Sequence, residues 1–320
     1  MSTRKSSVNR VFKKEAERLF HARRRVLRDE QSLSELKSDY LEFCREYFRL
    51  LKRTISMTRM ADAMQRELMQ TNKQLQYAHR KMGTQLEIAR QIQEHLYPLE
   101  TRKLPGLEVH SRYIALDRVG GDFLDYTMPG EGLAGILLGD AAGHGVPASL
   151  VGSMARMALS GLSEWNTHPA RLLGGLNDSL LHKIDRHYVT ACYVIFNAAN
   201  RSMRYSLGAH PPPFLLRPGK PAEQLPGEGT VIGMFADAEY DEWEQQLQPG
   251  DRILLITDGI LECFSPEMNA LTLDQLTDLL TGLSNRQPED LLNGLLDELR
   301  LFIGSSTFQD DVTVILLVVS

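Results

Sequence analysis

Three cysteines in 320 residues, Cys44, Cys192 and Cys263, are too few and too scattered for a disulfide framework or a zinc site. They point to reduced thiols and a cytoplasmic setting. No apolar run approaches the roughly 18–20 residues that span a bilayer. The longest, near Val312–Val319, suits a strand, and the first residues lack the apolar core of a signal peptide. Nucleotide loops are missing too. No G-x-G-x-x-G opens a helix after a first strand, and Gly143-His144-Gly145-Val146 lacks the Lys-Ser/Thr of a phosphate loop. These absences argue against a membrane span, a disulfide-stapled domain and a dinucleotide fold.

Proline is absent from residues 1–97, and glycine occurs there once, at Gly83, whereas Pro98 and Pro105 open a stretch rich in both. Charge changes at the same place. Residues 1–97 hold 21 Lys+Arg against 12 Asp+Glu, and the remainder holds 15 against 29. Both shifts place a boundary near 97–100, with a helical region over 1–97 and a separate domain over 98–320.

In the first region, alternating steps of four and three run from Leu36 through Tyr40, Phe43 and Tyr47 to Ala89, Ile92 and Leu96. Fifteen of the eighteen positions visited are apolar or aromatic. A 3.5-residue period sustained this long predicts a coiled coil from about residue 33, some 90 Å long at about 1.5 Å per residue. Ser32-Leu33-Ser34-Glu35 fits a capping box at its start, with a separate helix expected from about Val8 to Arg28. Such a helix cannot bury its own seam, so a homodimer is expected. The Met and Ala content makes the seam a soft interface, and Gly83 weakens the helix locally by about 1 kcal/mol relative to Ala. The basic run around Arg23-Arg24-Arg25 has no interleaved aromatics. It reads as a solvated or partner-facing surface, suited to an acidic protein, before it reads as a nucleic-acid arm.

Beyond Pro98, strands are expected at about 108–115, 119–126, 133–139, 189–197, 203–207, 213–216, 253–257 and 311–318. Helices are expected at 146–162, 169–186, 272–283 and 288–303. Strands in groups and helices in pairs argue for an α+β sandwich.

Within it, Leu133–Gly139 is an apolar strand that ends on Asp140, followed by a turn of small residues. Asp122 follows a glycine pair, Asp258 ends the apolar run Ile253–Thr257, and Asp310-Asp311 open the last strand. An acid at the end of a buried strand is costly unless paired or metal-bound. Four such acids with few basic neighbours favour hard divalent cations, Mg²⁺ or Mn²⁺, which take oxygen ligands. Two such ions can share a hydroxide that attacks phosphorus in line.

The blocks Gly120–Tyr126, Gly139–Leu150, Leu207–Pro213, Gly250–Glu262 and Asp310–Leu316 resemble, in order, the motifs of PPM-type serine/threonine phosphatases of the bacterial SpoIIE/RsbU branch. The likeness covers about 86–320. It implies a PPM-type αββα sandwich in which Asp140 bridges two metals and the Ala141 carbonyl adds a ligand. Asp258 and Asp310 would hold one ion, and Asp122 would act through coordinated water or on a third ion. Asp311 is the alternative to Asp310. His144 and His210 read as structural loop residues rather than general acids. The likeness further implies a phosphoserine substrate on a STAS-type anti-sigma-factor antagonist, an upstream regulatory protein, and a switch helix at about 86–97. The rival is a catalytically silent phosphatase fold acting as a dimeric scaffold.

Overall fold

The computed structural model describes residues 17, 20–21, 23–24, 32–96 and 101–320, with 94–96 described by backbone alone. The helix expected from Val8 to Arg28 and the junction at 97–100 lie largely outside those residues. Two compact units emerge, Met1–Met82 and Gly83–Ser320.

One helix, α1 (Leu33–Leu96), supplies the described body of the first unit and enters the second. Its start is the capping box read from sequence. Ser32 N–H donates to Glu35 Oε2 at 3.0 Å, and Glu35 N–H donates to Ser32 Oγ at 3.5 Å. The seam side chains are exposed along the single chain, Tyr40, Met64, Leu68 and Leu75 among them.

Composition changes at 97–98, yet the compact units divide at Met82–Gly83. The reason is local. Residues 83–96 belong with the second unit, where Arg118 donates to the Gly83 carbonyl at 2.5 Å and Gln93 is buried.

The second unit begins with β1 (Arg102–Leu104), β2 (Leu107–Ile114), β3 (Phe123–Thr127) and β4 (Leu133–Ala141). Helices α2 (Gly145–Ser160) and α3 (Pro169–Leu180) follow, then β5 (Val189–Asn197), β6 (Ser202–Gly208), β7 (Phe214–Leu216), β8 (Glu223–Gln224), β9 (Trp243–Gln246) and β10 (Arg252–Ile256). Helices α4 (Leu273–Leu283) and α5 (Pro288–Ile303) precede the last strand, β11 (Val312–Val319).

Two antiparallel sheets form, ordered β1-β2-β11-β10-β7-β8 and β3-β4-β5-β6-β9. Alternation along the strands sorts the apolar side chains into three layers. Ile136 and Leu138 of β4 meet Ile315 and Leu317 of β11 between the sheets. Leu137 faces α2 and α3, whereas Val314 and Leu316 face α4 and α5. The expected α+β architecture, a four-layer αββα sandwich, is therefore present. Three short strands, β1, β8 and β9, escape the sequence pattern, being only two to four residues long. The third strand starts at Phe123, not near 119, because Gly120 and Gly121 are pulled into a loop described below. Helix α3 stops at Leu180, short of 186, where the chain turns through His182 and Asp185 at φ of 61° and 50°.

Candidate active site

Asp140 is the penultimate residue of β4, paired with Thr190 of β5. The neighbouring Gly121 lies so close that a Cβ there would sit 2.7 Å from the Ala141 carbonyl oxygen and 2.9 Å from Asp140 Oδ1. Only glycine lets the 120–122 loop approach this acid. Ala141 N–H donates to the Gly121 carbonyl at 3.3 Å, tying loop to strand.

Asp122 is buried and held from the other sheet. Thr257 Oγ1 donates to its Oδ2 at 2.9 Å and Thr313 Oγ1 at 2.5 Å. The threonines are linked in turn, since Thr313 N–H donates to Thr257 Oγ1 at 2.9 Å. Thr257 follows β10 and Thr313 lies in β11, so the register of these strands sets where Asp122 sits. Asp258 opens a short 3₁₀ turn directly after Thr257.

The pair Asp310-Asp311 divides its work. Asp311 is buried and both its oxygens are taken: Leu116 N–H donates to Oδ1 at 2.7 Å and Gly121 N–H to Oδ2 at 2.6 Å. Asp310 is half-buried and accepts from Asp311 N–H at 2.8 Å. That leaves Asp310 the better-placed donor to a ligand and makes Asp311 the anchor of the 116–121 loop. From the opposite side, Gln93 Nε2 donates to the Gly120 carbonyl at 2.8 Å, and Gly120 N–H donates back to Gln93 Oε1 at 3.2 Å.

Thr257, Thr313 and Gln93 were not singled out from sequence as site residues, and Asp311 was named there as the alternative ligand, not as a loop anchor. No sequence signal marks the threonines, which only the pairing of β10 with β11 brings together.

Electrostatics follow from crowding. Burial first, then the charges of Asp258, Asp310 and Asp311, push the Asp140 carboxyl up to about 8, against a weaker opposing hydrogen bond with Asp122. Asp122 is raised well above the carboxylate range, by burial first and then by Asp140. Asp258 rises to about 6 through burial, Glu262 and Asp310. Among the described residues, no ion pair joins Asp140, Asp258 or Asp310 to Lys, Arg or His.

His210 is a buried, neutral imidazole. Burial pushes it down to about 3, and its Nδ1 lies 2.9 Å from Thr190 Oγ1. His144 is exposed, with Nδ1 3.1 Å from Asp117 Oδ2.

Among the described residues, no three His, Cys, Asp or Glu side chains already converge on one metal position. The donor set nevertheless fits a hard divalent cation. It is all oxygen, it repels itself as a set, and the cradle at Gly121 is kept clear of side chain beside Asp140 and the Ala141 carbonyl.

The two-layer antiparallel sandwich with helix pairs outside is shared with solved PP2C phosphatase domains. The Stage II sporulation protein E (SpoIIE) family pattern matches residues 130–320, more than half of the chain, and the chain belongs to that family. The phosphoserine phosphatase RsbU of Bacillus subtilis (strain 168) is 26% identical over 250 residues, covering 78% of this chain and 74% of RsbU. In fold, the chain is similar to the SiaA-PP2C domain of Pseudomonas aeruginosa, with a TM-score of 0.68, 22% identity, and coverage of 76% of this chain and 98% of that one. The PP2C phosphatase domain of SpoIIE from Bacillus subtilis, solved with a fragment of its regulatory domain, superimposes with a TM-score of 0.59. It is 18% identical, covering 69% of this chain and 64% of that one.

Proposed function

We propose that this chain is a cytoplasmic, metal-dependent protein phosphatase that hydrolyses phosphoserine on a STAS-type regulatory protein, under control of its N-terminal helix. One observation carries the reading. Asp122, Asp140 and Asp258 are each pushed up by burial and by one another's or further acids' charges, in a chain of the SpoIIE family. Crowded acids of this kind are stable as carboxylates once a dication joins them.

Asp140, Asp258, Asp310 and the Ala141 carbonyl are the proposed ligands of two Mn²⁺ or Mg²⁺ ions. Asp122 would act through coordinated water or hold a third ion. When bound, the ions supply water activation and neutralise phosphoryl charge. The chain's own residues do the positioning. Thr257 and Thr313 keep one oxygen of Asp122 fixed, which leaves its carboxyl to face Asp140. Asp311 and Gln93 hold the Gly120–Gly121 loop from two sides, so the approach of that loop to Asp140 depends on both.

Regulation follows from the second of these contacts. Gln93 belongs to α1, and a cavity of about 250 Å³ lined by Gln93, Phe123, Asp125, Gly152, Arg156 and Met157 adjoins it. On this reading a shift of the helix end would carry Gly120 with it through the two Gln93 hydrogen bonds. A homodimer through the exposed seam of α1, repacked by an upstream regulatory protein, is the proposed source of that shift.

The test is phosphate release from a serine-phosphorylated STAS-domain protein with Mn²⁺. Turnover is expected with the full chain and loss of turnover with Asp140→Ala. Full activity in Asp140→Ala would sink the metal assignment.

A further inference from the structure

One surface beside the acids has no part in holding them. After Gly229 the chain runs alongside the start of β5. Val189 N–H donates to the Ile232 carbonyl at 3.0 Å, and Ile232 N–H donates back to Val189 at 2.8 Å. Val189 in turn pairs with Ala141 on its other side. Ile232 therefore lies two strand spacings from Ala141, roughly 10 Å. The bridge is antiparallel, so Gly233, Met234 and Phe235 continue past the sheet at the end where Tyr188 receives the Ala142 N–H and where Asp140 stands.

These three residues are fixed in an unusual manner. Asn177 of α3 is buried, and its side chain is spent on this loop alone. Gly233 N–H donates to its Oδ1 at 2.8 Å, and its Nδ2 donates to the Phe235 carbonyl at 2.9 Å. Gly233 adopts φ +87°, and a Cβ there would come within 2.7 Å of Ile184. A buried amide with both ends committed gives the loop one shape. That shape leaves Met234 43% and Phe235 53% exposed, side by side. Single exposed apolar residues need no explanation, but two adjacent large ones on a pinned loop at a catalytic rim do.

The flanking turn adds charge. Gly233 packs on Ile184, whose neighbours Lys183 and Arg186 are exposed. The same turn holds His182 and Asp185 at positive φ, a local strain that persists only where the surroundings impose it. An apolar pair thus stands on a loop packed against a turn that carries the exposed Lys183, Asp185 and Arg186, beside an acidic centre.

We infer that this rim docks a folded phosphoprotein: Met234 and Phe235 take an apolar patch next to the phosphoserine, and Lys183 and Arg186 face acidic surface around it. The inference rests on the phosphatase reading and names how that site selects a protein over a small phosphate ester. Small esters need only the acids and what they bind; a folded partner needs the rim as well.

The experiment compares kcat/KM of the full chain with Mn²⁺ on a serine-phosphorylated STAS-domain protein and on p-nitrophenyl phosphate. The Met234→Ser/Phe235→Ser double variant is expected to lose about tenfold or more on the phosphoprotein, mainly in KM, and to stay within about twofold on the ester. Lys183→Glu, which leaves the apolar pair intact, is expected to raise KM for the phosphoprotein alone and to flatten its salt dependence. Unchanged kcat/KM on the phosphoprotein in both variants overturns the inference. An equal fall on both substrates overturns it as well, because the loop would then serve the catalytic centre. Wild-type protein inactive on both substrates would instead refute the phosphatase reading on which it stands. Wild-type turnover of the ester without the phosphoprotein refutes docking of a STAS partner.

Discussion

Asp251 and Asp140 are both carboxylates drawn into the body of the same domain, yet one is paired with a cation and the other, among the described residues, is not. Asp251 is buried beneath Arg217, whose Nε lies 3.0 Å from Oδ1 and whose Nη2 lies 2.9 Å from Oδ2, and it accepts Gln248 N–H at 2.8 Å. Glu289, at the start of α5, is likewise matched. Hydrogen bonds from His110 and Arg112 hold its carboxyl down at about 2. Asp140 is instead raised to about 8, with acids as its charged neighbours. Matched acids stabilise the fold they sit in. The unmatched set does the reverse, and a domain keeps such a set where something else completes it.

The sharpest way to break this contrast is to neutralise each kind. Asp140→Asn and Asp258→Asn are expected to lower kcat by roughly a thousandfold or more, the several kcal/mol that charge neutralisation supplies. Metal-free melting temperatures should stay level or rise, since a repelled charge is removed. A large fall in metal-free stability would show that these acids are structural.

Arg217→Ala should give the opposite pattern: a loss on the order of 3–5 kcal/mol, because Asp251 is left buried and unpaired, with kcat retained in the folded fraction. Urea denaturation measures it.

Acidity sharpens the comparison further. With Asp140 raised to about 8 and Asp258 to about 6, the folded protein binds protons that the unfolded chain has already released above the ordinary carboxylate value. Stability of metal-free protein is then fullest below about pH 4 as far as these groups act, and it is lost as pH rises through about 6 and then 8. Added Mn²⁺ should remove that decline. Glu289 acts with the opposite sign, contributing above its unfolded value and losing its contribution only as pH falls toward about 2. Melting curves across pH with and without Mn²⁺ check both; a metal-independent slope would contradict the first.

The smallest expected effect is that of Gln93→Ala. It removes two buried hydrogen bonds to Gly120, each worth about 1 kcal/mol. The Mn²⁺ concentration for half-maximal activity should rise, with kcat at saturating Mn²⁺ changed less. Titration of activity with Mn²⁺ reads this directly.

Much of the sandwich was legible in the chain. Long apolar runs such as Val189–Asn197 and Ile253–Ile256 announce strands, and each of the four acids stands next to one. Asp140 could be picked out because an apolar run, an acid and small residues follow one another in sequence. Thr257 and Thr313 could not, since 56 positions separate them and only the pairing of β10 with β11 brings them onto one oxygen of Asp122. The choice between Asp310 and Asp311 was closed to sequence for a related reason. Both precede the strand, and what separates them is the loop at 116–121 that only Asp311 reaches. The loop at 229–242 shows no helix or strand period, so its contact with Asn177 was invisible as well.

Helix α1 extends from Leu33 to Leu96, and Gln93 lies within it. In a helix the azimuth of a side chain is set by counting residues, about 100° for each. One residue inserted before Met82 would turn the seam and Gln93 about 100° out of phase, whereas seven would restore them to within about 20°. Under the proposed regulation, the length of α1 ahead of Gly83 is therefore constrained to whole heptads.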